Sequence, residues 1–311
     1  MSLASEVATI LLNGIQTGAI YILVAIGLSI ILGTLKFVNF AHGALYLIGT
    51  YAGLFIALEV TLTNGKLQEW GYATIGLEWG FLAALVIVPI LVFVIGLLME
   101  RFVARPFYDR PDTDQILLTF GLAIILQEAF RVLFGGTSLP FSQPPWASGP
   151  IALPLVGNFP KWRLYVIAIT AGLVLLVYLL VEFTDFGLVV RAGTRDTEMV
   201  RLLGIRVTRP YIVLFGIGAA LAGVAGVVGG PLNVVNPNVG MDTLVPAFLT
   251  VVIGGVGSLA GAVVGGVLIG IVFATLVAVA PAWAQVGIYL LAAIILLTRP
   301  QGLLGNEEVV P

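Results

Sequence analysis

Long apolar blocks dominate the chain and are separated by shorter polar segments. No charged residue occurs in four stretches, which are 79–99, 164–181, 210–241 and 243–298. An apolar stretch of about 18 or more residues is typical of a membrane span, because about 20 helical residues cross the hydrocarbon core. These blocks are apolar on every side rather than alternating, and only a helix can satisfy the backbone of such a segment in lipid. The pattern therefore predicts several membrane-spanning helices.

The predicted spans cover Val7–Leu32, Phe37–Leu58, Gly80–Met99, Gln115–Phe134, Leu164–Val181, Tyr211–Gly230 and parts of the tract Thr243–Thr298. As one helix, that last tract would be about 84 Å long, so it holds at least two spans and a shorter third element. Breaks are predicted at Gly254–Gly257 and near Pro281, and a helix at Leu244–Ile253 is too short to cross unaided. We expect an all-α, polytopic transmembrane bundle of about eight to nine spans, with half-membrane or broken helices, forming one domain over 1–311.

Composition supports this class and excludes several kinds of chemistry. Apolar residues make up 59% of the chain and charged residues 10%, whereas soluble domains carry about 25% charged residues. There is no cysteine and only one histidine, His42, so we expect no catalytic residues, no metal site and no cofactor in this chain. The phosphate-binding pattern G-x-x-x-x-G-K-[ST] is also absent, so ATP hydrolysis is not expected of it.

Basic residues are distributed unevenly between the loops. Arginines cluster in loops 100–114 and 183–210, whereas the long loop 135–163 holds only Lys161 and Arg163. Basic loops face the cytoplasm in most membrane proteins, so the two arginine-rich loops are predicted to be cytoplasmic and loop 135–163 to lie outside. The expected location is the plasma (inner) membrane. The C-terminus is inside if the last tract crosses three times and outside if it crosses twice, and Arg299 favours inside.

Polar residues stand at the start of the second apolar block. Asn39 and His42 are three positions apart and, within a helix starting there, would share one face next to Gly43. Polar groups at membrane depth are tolerated where they face protein or a water-lined path. One interpretation is therefore a role in a transport path. The other is that Asn39 caps the helix and His42 makes an ordinary hydrogen bond at the interface.

The loop 183–210 contains a predicted amphipathic helix. Thr194 could cap it, Asp196 and Glu198 would occupy its first turn, and Gly204 would follow its end. Met199, Leu202 and Leu203 form an apolar stripe at helical spacing. Such a helix could lie on the lipid surface, pack under the bundle, or insert into a groove of a partner.

A weak internal repeat is also visible. Val38-Asn39, followed by the run Gly43–Gly53, is similar to Val235-Asn236, followed by Pro246–Gly257. Transporter folds are often built from structural repeats, with the binding site where the repeats meet. A secondary transporter or channel would also be polytopic and rich in glycine, and a purely structural membrane subunit is compatible with the sequence. A coupled transporter would be expected to place ionisable residues in mid-membrane, yet Glu128, Arg131 and Asp242 lie at or near the predicted span ends.

Four segments together resemble the LivH-type permeases of branched-chain amino acid importers of the ABC class. They are Asn39-Phe-Ala-His-Gly43, the loop 191–205, the glycine-rich run 254–266 and the ending 299–305, and they occur in the family's order over nearly the whole chain. The resemblance implies a non-enzymatic permease that pairs with a second, LivM-like permease. Two cytoplasmic ATPase subunits would bind the ATP, and an extracytoplasmic substrate-binding protein would deliver the substrate.

The resemblance also assigns a role to one helix, whereas the path residues are predicted from their polarity. The helix near 194–204 would be the coupling helix that docks on the ATPase, through Thr194, Arg195, Glu198, Met199, Arg201, Leu202, Leu203 and Gly204. The expected translocation path is polar but mostly uncharged, and its residues are Asn39, His42, Gly43, Thr119, Gln127, Asn233 and Asn236. The expected substrate is a branched-chain or similar small apolar amino acid. Urea and amide permeases of the same family share these motifs and are the alternative.

Overall fold

The computed structural model describes residues 3–195, 197–205 and 207–305. The side chains of Arg195, Thr197, Glu198 and Arg201 lie outside the described part, as do Asp196 and Arg206 altogether. The predicted first-turn and last-turn charges of the coupling helix therefore fall outside the described residues. The described chain is helical through nearly all of its apolar blocks, which confirms an all-α membrane protein.

Seven helical segments of the described chain are long and apolar enough to cross a membrane, and two shorter apolar helices accompany them. The principal helices are α1 Leu3–Leu35, α2 His42–Ala57, α4 Phe81–Met99, α5 Asp112–Phe134, α6 Lys161–Phe183, α9 Thr208–Gly229, α10 Val239–Gly254, α11 Leu259–Val279 and α12 Ala284–Thr298. The short α3 covers Lys66–Glu69, and α7 Asp185–Arg195 and α8 Thr197–Leu202 form the long basic loop. Two small antiparallel hairpins complete the fold, β1 Val60–Thr61 with β2 Thr74–Ile75 and β3 Pro150–Leu153 with β4 Gly157–Pro160.

The last apolar tract divides as predicted. α10 ends at Gly254, the chain turns through Gly255 and Gly257 at positive φ, and α11 and α12 are separated by a turn at Pro281–Trp283. The amides of Leu303 and Leu304 donate to the carbonyls of Ile253 and Gly254. The glycine-rich turn and the chain's last described residues, two of the four motifs noted in the sequence, therefore bind each other.

Antiparallel packing places the loops on two sides of the bundle. Gly33 of α1 packs on Gly257, and Gly96 of α4 packs on Ala219 of α9. The ends of α1 and α4 therefore lie on the same side as the start of α9, the turn 255–258 and residues 299–305. We call this the basic side, because loops 100–111 and 184–207 lie there, and the other the opposite side. The last tract thus contributes three helices, and Gly305 lies on the basic side.

The weak repeat in the sequence corresponds to an inverted repeat in the fold. α2 and α10 are both 16 residues long, and each begins three residues after an asparagine, Asn39 or Asn236. α1 packs antiparallel on α11, through Gly18 and Gly266, while α9 packs antiparallel on α4. The chain therefore contains two similar units, α1–α2–α4 and α9–α10–α11. The third helix of each unit packs on the first helix of the other unit. Because α1 runs toward the basic side and α9 away from it, the two units have opposite orientations in the membrane.

Glycine allows the central helices to approach very closely. A Cβ built on Gly18 would lie 2.4 Å from the carbonyl oxygen of Gly266, and one on Gly49 would lie 2.5 Å from the backbone of Gly223. Backbone atoms cannot rotate away as side chains can, so these contacts require glycine. The apolar core follows the same helices and includes Leu23, Ile31, Leu45, Phe215 and Val251.

Candidate functional site

Asn39 and His42 are buried in the middle of the bundle. They do not lie together on one helix, and Asn39 does not cap one. α2 begins only at His42, with Ala41 as its N-cap and no side-chain cap. Asn39 therefore precedes the helix, and the predicted shared helix face and the capping role of Asn39 are both wrong. Residues Lys36–Ala41 form an irregular segment, which we call the inner loop. The apolar pattern predicted helix from Phe37 onward, so it did not reveal this segment.

The polar atoms of this pair have few partners. Asn39 is 1% exposed and His42 is 0% exposed; neither polar atom of the Asn39 side chain has a hydrogen-bond partner, and His42 has only a loose contact with the backbone of Val24. The interfacial hydrogen bond that was the alternative interpretation for His42 stays a prediction. A buried polar group without a partner costs about 1–3 kcal/mol, so Asn39 is a local energetic defect in an otherwise well-packed centre. Such defects are typical of places where water or a substrate is bound in another state.

The first turns of α2 and α10 meet beside this pair. A Cβ on Gly43 would lie 2.7 Å from the carbonyl oxygen of Gly240, and a Cβ on Gly240 would lie 2.4 Å from that of Gly43. Gly27 of α1 is also close, since a Cβ there would lie 2.9 Å from the His42 Nε2 atom. The two short helices thus enter from opposite sides and start near the middle of the bundle, as do the broken helices of many transporters.

The helix α5 binds the loops that precede both short helices. The Thr119 hydroxyl accepts from the Phe40 amide at 3.0 Å, and the Gln115 Oε1 atom accepts from the Val38 amide at 3.0 Å. Two and three turns further along α5, the side chains of Gln127 and Arg131 donate to the Asn238 Oδ1 atom at 2.9 and 2.8 Å. One face of α5 therefore runs alongside both entry loops.

The predicted path residues fall into two groups. Asn39, His42, Gly43 and Thr119 lie together at the centre and at the inner loop. Asn233 and Asn236 belong to the loop before α10 on the opposite side, where the Asn236 Oδ1 atom accepts from the Asn238 amide at 2.8 Å. Gln127 joins this second group through Asn238.

Sequence reasoning missed Tyr46, Gln115 and Asn238. The Tyr46 hydroxyl is buried within reach of the side chains of Thr243, Asn233 and Thr50. Tyr46 and Thr243 have the same separation along the chain as Gly43 and Gly240, so alignment of the two repeat units could have identified them. Gln115 was visible only as the first residue of a predicted span.

An exposed ion pair lies in the last turns of α5. The Arg131 guanidinium lies 2.6 Å from the Glu128 carboxylate, and both side chains are more than two-fifths exposed. With the helix midpoint, Ala123, placed at the membrane centre, these residues would lie about 8 and 12 Å from that centre, inside the roughly 15 Å half-thickness of a hydrocarbon core. Charges facing lipid at that depth are unfavourable. This face of α5 is therefore suited to a subunit contact or to water rather than to lipid.

The predicted coupling segment begins within a helix. Thr194 lies inside α7, where its hydroxyl donates to the Val190 carbonyl at 2.8 Å, so the expectation that it caps the following helix is wrong. α8 ends before Gly204, which has a φ of +77°, and the Ile205 amide donates to the Val200 carbonyl. This is the predicted glycine stop. Met199, Leu202 and Leu203 are exposed to 54%, 76% and 71%, so the apolar stripe is on the surface of the described chain.

The comparisons with known proteins bear on this arrangement. The family described as branched-chain amino acid transport system / permease component matches residues 10–298. The chain belongs to this family. It is 30% identical to the high-affinity branched-chain amino acid transport system permease protein LivH of Salmonella typhimurium, over 96% of this chain and 95% of that one. It is 32% identical to BraD of Pseudomonas aeruginosa, a permease protein of the same description, over 96% of both chains.

More distant similarities were also found. A probable LivH permease protein of Methanocaldococcus jannaschii is 28% identical over 80% of this chain and 75% of that one. Among solved structures, PsaBC from Streptococcus pneumoniae in complex with Fab covers 92% of this chain and 89% of the matched chain, at 14% identity and a TM-score of 0.42. The family assignment rests on the sequence relatives. Within the family this chain is a multi-pass permease.

Proposed function

We propose that the chain is the membrane-spanning permease subunit of an ABC importer for branched-chain or similar small apolar amino acids. The observation that carries the proposal is the family match over residues 10–298, combined with a fold whose two short helices meet at a buried polar pair. The relatives named LivH and BraD are described as permeases for branched-chain amino acids. A urea or amide permease of the same fold is the second candidate.

The proposed path runs between the entry loops of α2 and α10 and along the exposed face of α5. Its residues are Asn39, His42, Gly43, Thr119, Gln127, Asn233 and Asn236. These groups can donate and accept hydrogen bonds without a fixed strong charge, which favours passage of a zwitterion over tight retention. The ion pair Glu128–Arg131 is exposed on this face of α5, which supports placing a second, LivM-like permease subunit against this face rather than lipid.

The proposed energy source is ATP bound by two partner ATPase subunits. The side chains of Leu202 and Leu203 on α8 are exposed, and an apolar surface on a loop beside the bundle is suited to a groove on a partner. In this proposal the basic side faces the cytoplasm of a cell with a plasma (inner) membrane, and an extracytoplasmic binding protein delivers substrate to the opposite side. Thr194, Arg195, Glu198, Met199, Arg201 and Gly204 would complete the coupling segment.

Co-purification tests the proposal. The chain, tagged and extracted in mild detergent from its native host, is expected to retain an ATPase and a second permease subunit. Replacing both Leu202 and Leu203 by Asp should release the ATPase while leaving the permease partner bound. Recovery of the chain as a homo-oligomer without an ATPase, in detergents that preserve its fold, would contradict assignment to the ABC class.

A further inference from the structure

A buried carboxylate stands where α4 leaves the apolar part of the bundle on the basic side. Glu100 is 1% exposed and begins a single turn of π-helix, Glu100–Ala104. The Arg105 guanidinium donates to both carboxylate oxygens, at 2.8 and 3.2 Å, and the Tyr108 hydroxyl donates at 3.1 Å. A carboxylate with a bidentate arginine and a hydroxyl donor is well satisfied despite its burial. Removal of its charge would leave Arg105 without its partner.

This cluster supports the inner loop through aromatic contact. The Tyr108 ring lies edge-on to that of Phe37, with ring centroids 5.7 Å apart and an interplanar angle of 72°. Phe37 belongs to the inner loop and is fully buried. Burial, together with the Glu100 carboxylate, raises the pKa of Tyr108, so its hydroxyl stays protonated and remains a donor at neutral pH. The position of Phe37 therefore depends on a side chain that Glu100 orients.

Gln115 connects the same two segments by hydrogen bonds. Its Nε2 atom donates to the Phe107 and Arg110 carbonyls at 3.2 and 3.1 Å, while its Oε1 atom accepts from the Val38 amide. A single buried amide thus links the 100–111 segment with the inner loop. One turn further along α5, Thr119 holds the next part of the loop, at Phe40.

The inner loop itself begins at a strained residue. Lys36 has a φ of +50°, a left-handed conformation that is unfavourable for a residue with a Cβ and persists only where the surroundings impose it. Near the end of the loop, the side chain of Asn39 is buried without a hydrogen-bond partner. The inner loop therefore begins at a strained residue, contains a buried side chain without a partner, and is bound by side chains of α5. Its conformation is imposed by these surroundings rather than being intrinsically stable.

We infer that Glu100, Tyr108 and Gln115 are positioning residues that hold the inner loop in the arrangement in which Asn39, Ala41 and His42 are buried. The inference rests on the proposed function in one respect, which is that the basic side is the one into which substrate is released. Movement of the 100–111 segment would then open the inner loop, and this segment is a second contact through which partner subunits could act, separate from α8.

The test measures how accessible the inner loop is. The native chain has no cysteine, and Ala41 is small and fully buried, so Ala41→Cys serves as the reporter. Its reaction with a membrane-impermeant methanethiosulfonate is followed in inverted vesicles of the native host, without added nucleotide. Adding Glu100→Gln is expected to raise the rate at least tenfold, and Tyr108→Phe about threefold or more. Glu69→Gln, which changes an exposed ion pair with Lys66, should leave the rate unchanged.

A second reporter distinguishes release of the loop from general loosening of the fold. Ala225 is fully buried in α9, and Ala225→Cys should stay unreactive in the Glu100→Gln background. Equal acceleration at both reporters, or no acceleration at Ala41→Cys in either variant, would overturn the inference. The labelling needs no partner and no ATP, so it fails or succeeds independently of the proposed ABC function. If Glu100→Gln does not accumulate in the membrane, Tyr108→Phe and Gln115→Leu provide the same comparison.

Discussion

Gly43 and Gly240 pack backbone against backbone where α2 and α10 cross, each too close to the other's carbonyl oxygen to admit a Cβ. They occupy equivalent positions in the two inverted units, one residue after the start of each short helix. The contact lies next to the buried Asn39 and His42. The geometry of the proposed site therefore depends on two glycines that carry no chemistry of their own.

Replacing either glycine by alanine should separate the short helices. Neither Gly43→Ala nor Gly240→Ala can be relieved by a side-chain rotation, so each is expected to destabilise the fold by about 1–3 kcal/mol and to lower transport. Thermal unfolding in detergent measures the first effect and uptake in cells the second. Gly172→Ala in α6, where an added Cβ meets nothing within 4 Å, is the matched control and should be neutral or slightly stabilising. Equal behaviour of all three variants would refute the close crossing.

The two sides of the bundle can be assigned by labelling single cysteines. In intact cells Pro150→Cys, in the exposed hairpin of the opposite side, should react with an impermeant maleimide. Leu203→Cys, which is exposed on the basic side, should react only after the cells are opened. The expectation follows from the arginines of loops 100–111 and 184–207. The reverse pattern would place the basic side outside and remove the support for a cytoplasmic coupling segment.

The exposed stripe of α8 should matter more than the charges beside it. Leu202→Asp combined with Leu203→Asp introduces two charges into an apolar contact, which should cost several kcal/mol of association with the ATPase. Exposed ion pairs typically contribute only about 0–1 kcal/mol. Complex assembly and substrate-stimulated ATP hydrolysis are measured after reconstitution. Leu155→Asp, at an exposed position on the opposite side, is the control, and wild-type behaviour of the double variant would show that α8 is only a surface segment.

Sequence patterns predicted the spans well and the centre of the site only in part. Charge-free blocks fixed the positions of α4, α6 and α11 to within a few residues, because lipid allows little besides helix there. The charge pattern could not show that the predicted span Phe37–Leu58 begins with the irregular inner loop, because the residues of the loop are as apolar as those of the helix that follows. Asn39 and His42 were predicted to be functional, but their burial, and the hydrogen bond from the Val38 amide to Gln115, depend on contacts with α1 and α5, which are distant in sequence. The prediction that Thr194 caps a helix was wrong because this residue lies within α7, where its hydroxyl donates to the Val190 carbonyl of the preceding turn.

The isolated chain should bind its substrate weakly. The buried centre offers Asn39 and His42 but no formal charge to match a zwitterion, and in the proposed importer affinity resides in the separate binding protein. Isothermal titration of the purified chain with leucine, isoleucine and valine is expected to show no binding at micromolar concentrations. Urea and short amides added in parallel examine the alternative substrate class. A dissociation constant in the micromolar range or below for the chain alone would count against a pathway built for passage.

Uptake into liposomes tests the central claim most directly. The chain is reconstituted with its co-purified permease and ATPase partners, and labelled leucine is supplied with the binding protein on the side opposite to the ATPase. The account predicts accumulation that requires ATP and binding protein together, is unaffected by collapsing proton and sodium gradients, and falls at least tenfold when Asn39 and His42 are both replaced by Leu. Leucine accumulation driven by an ion gradient without ATP would contradict it and identify a secondary transporter instead.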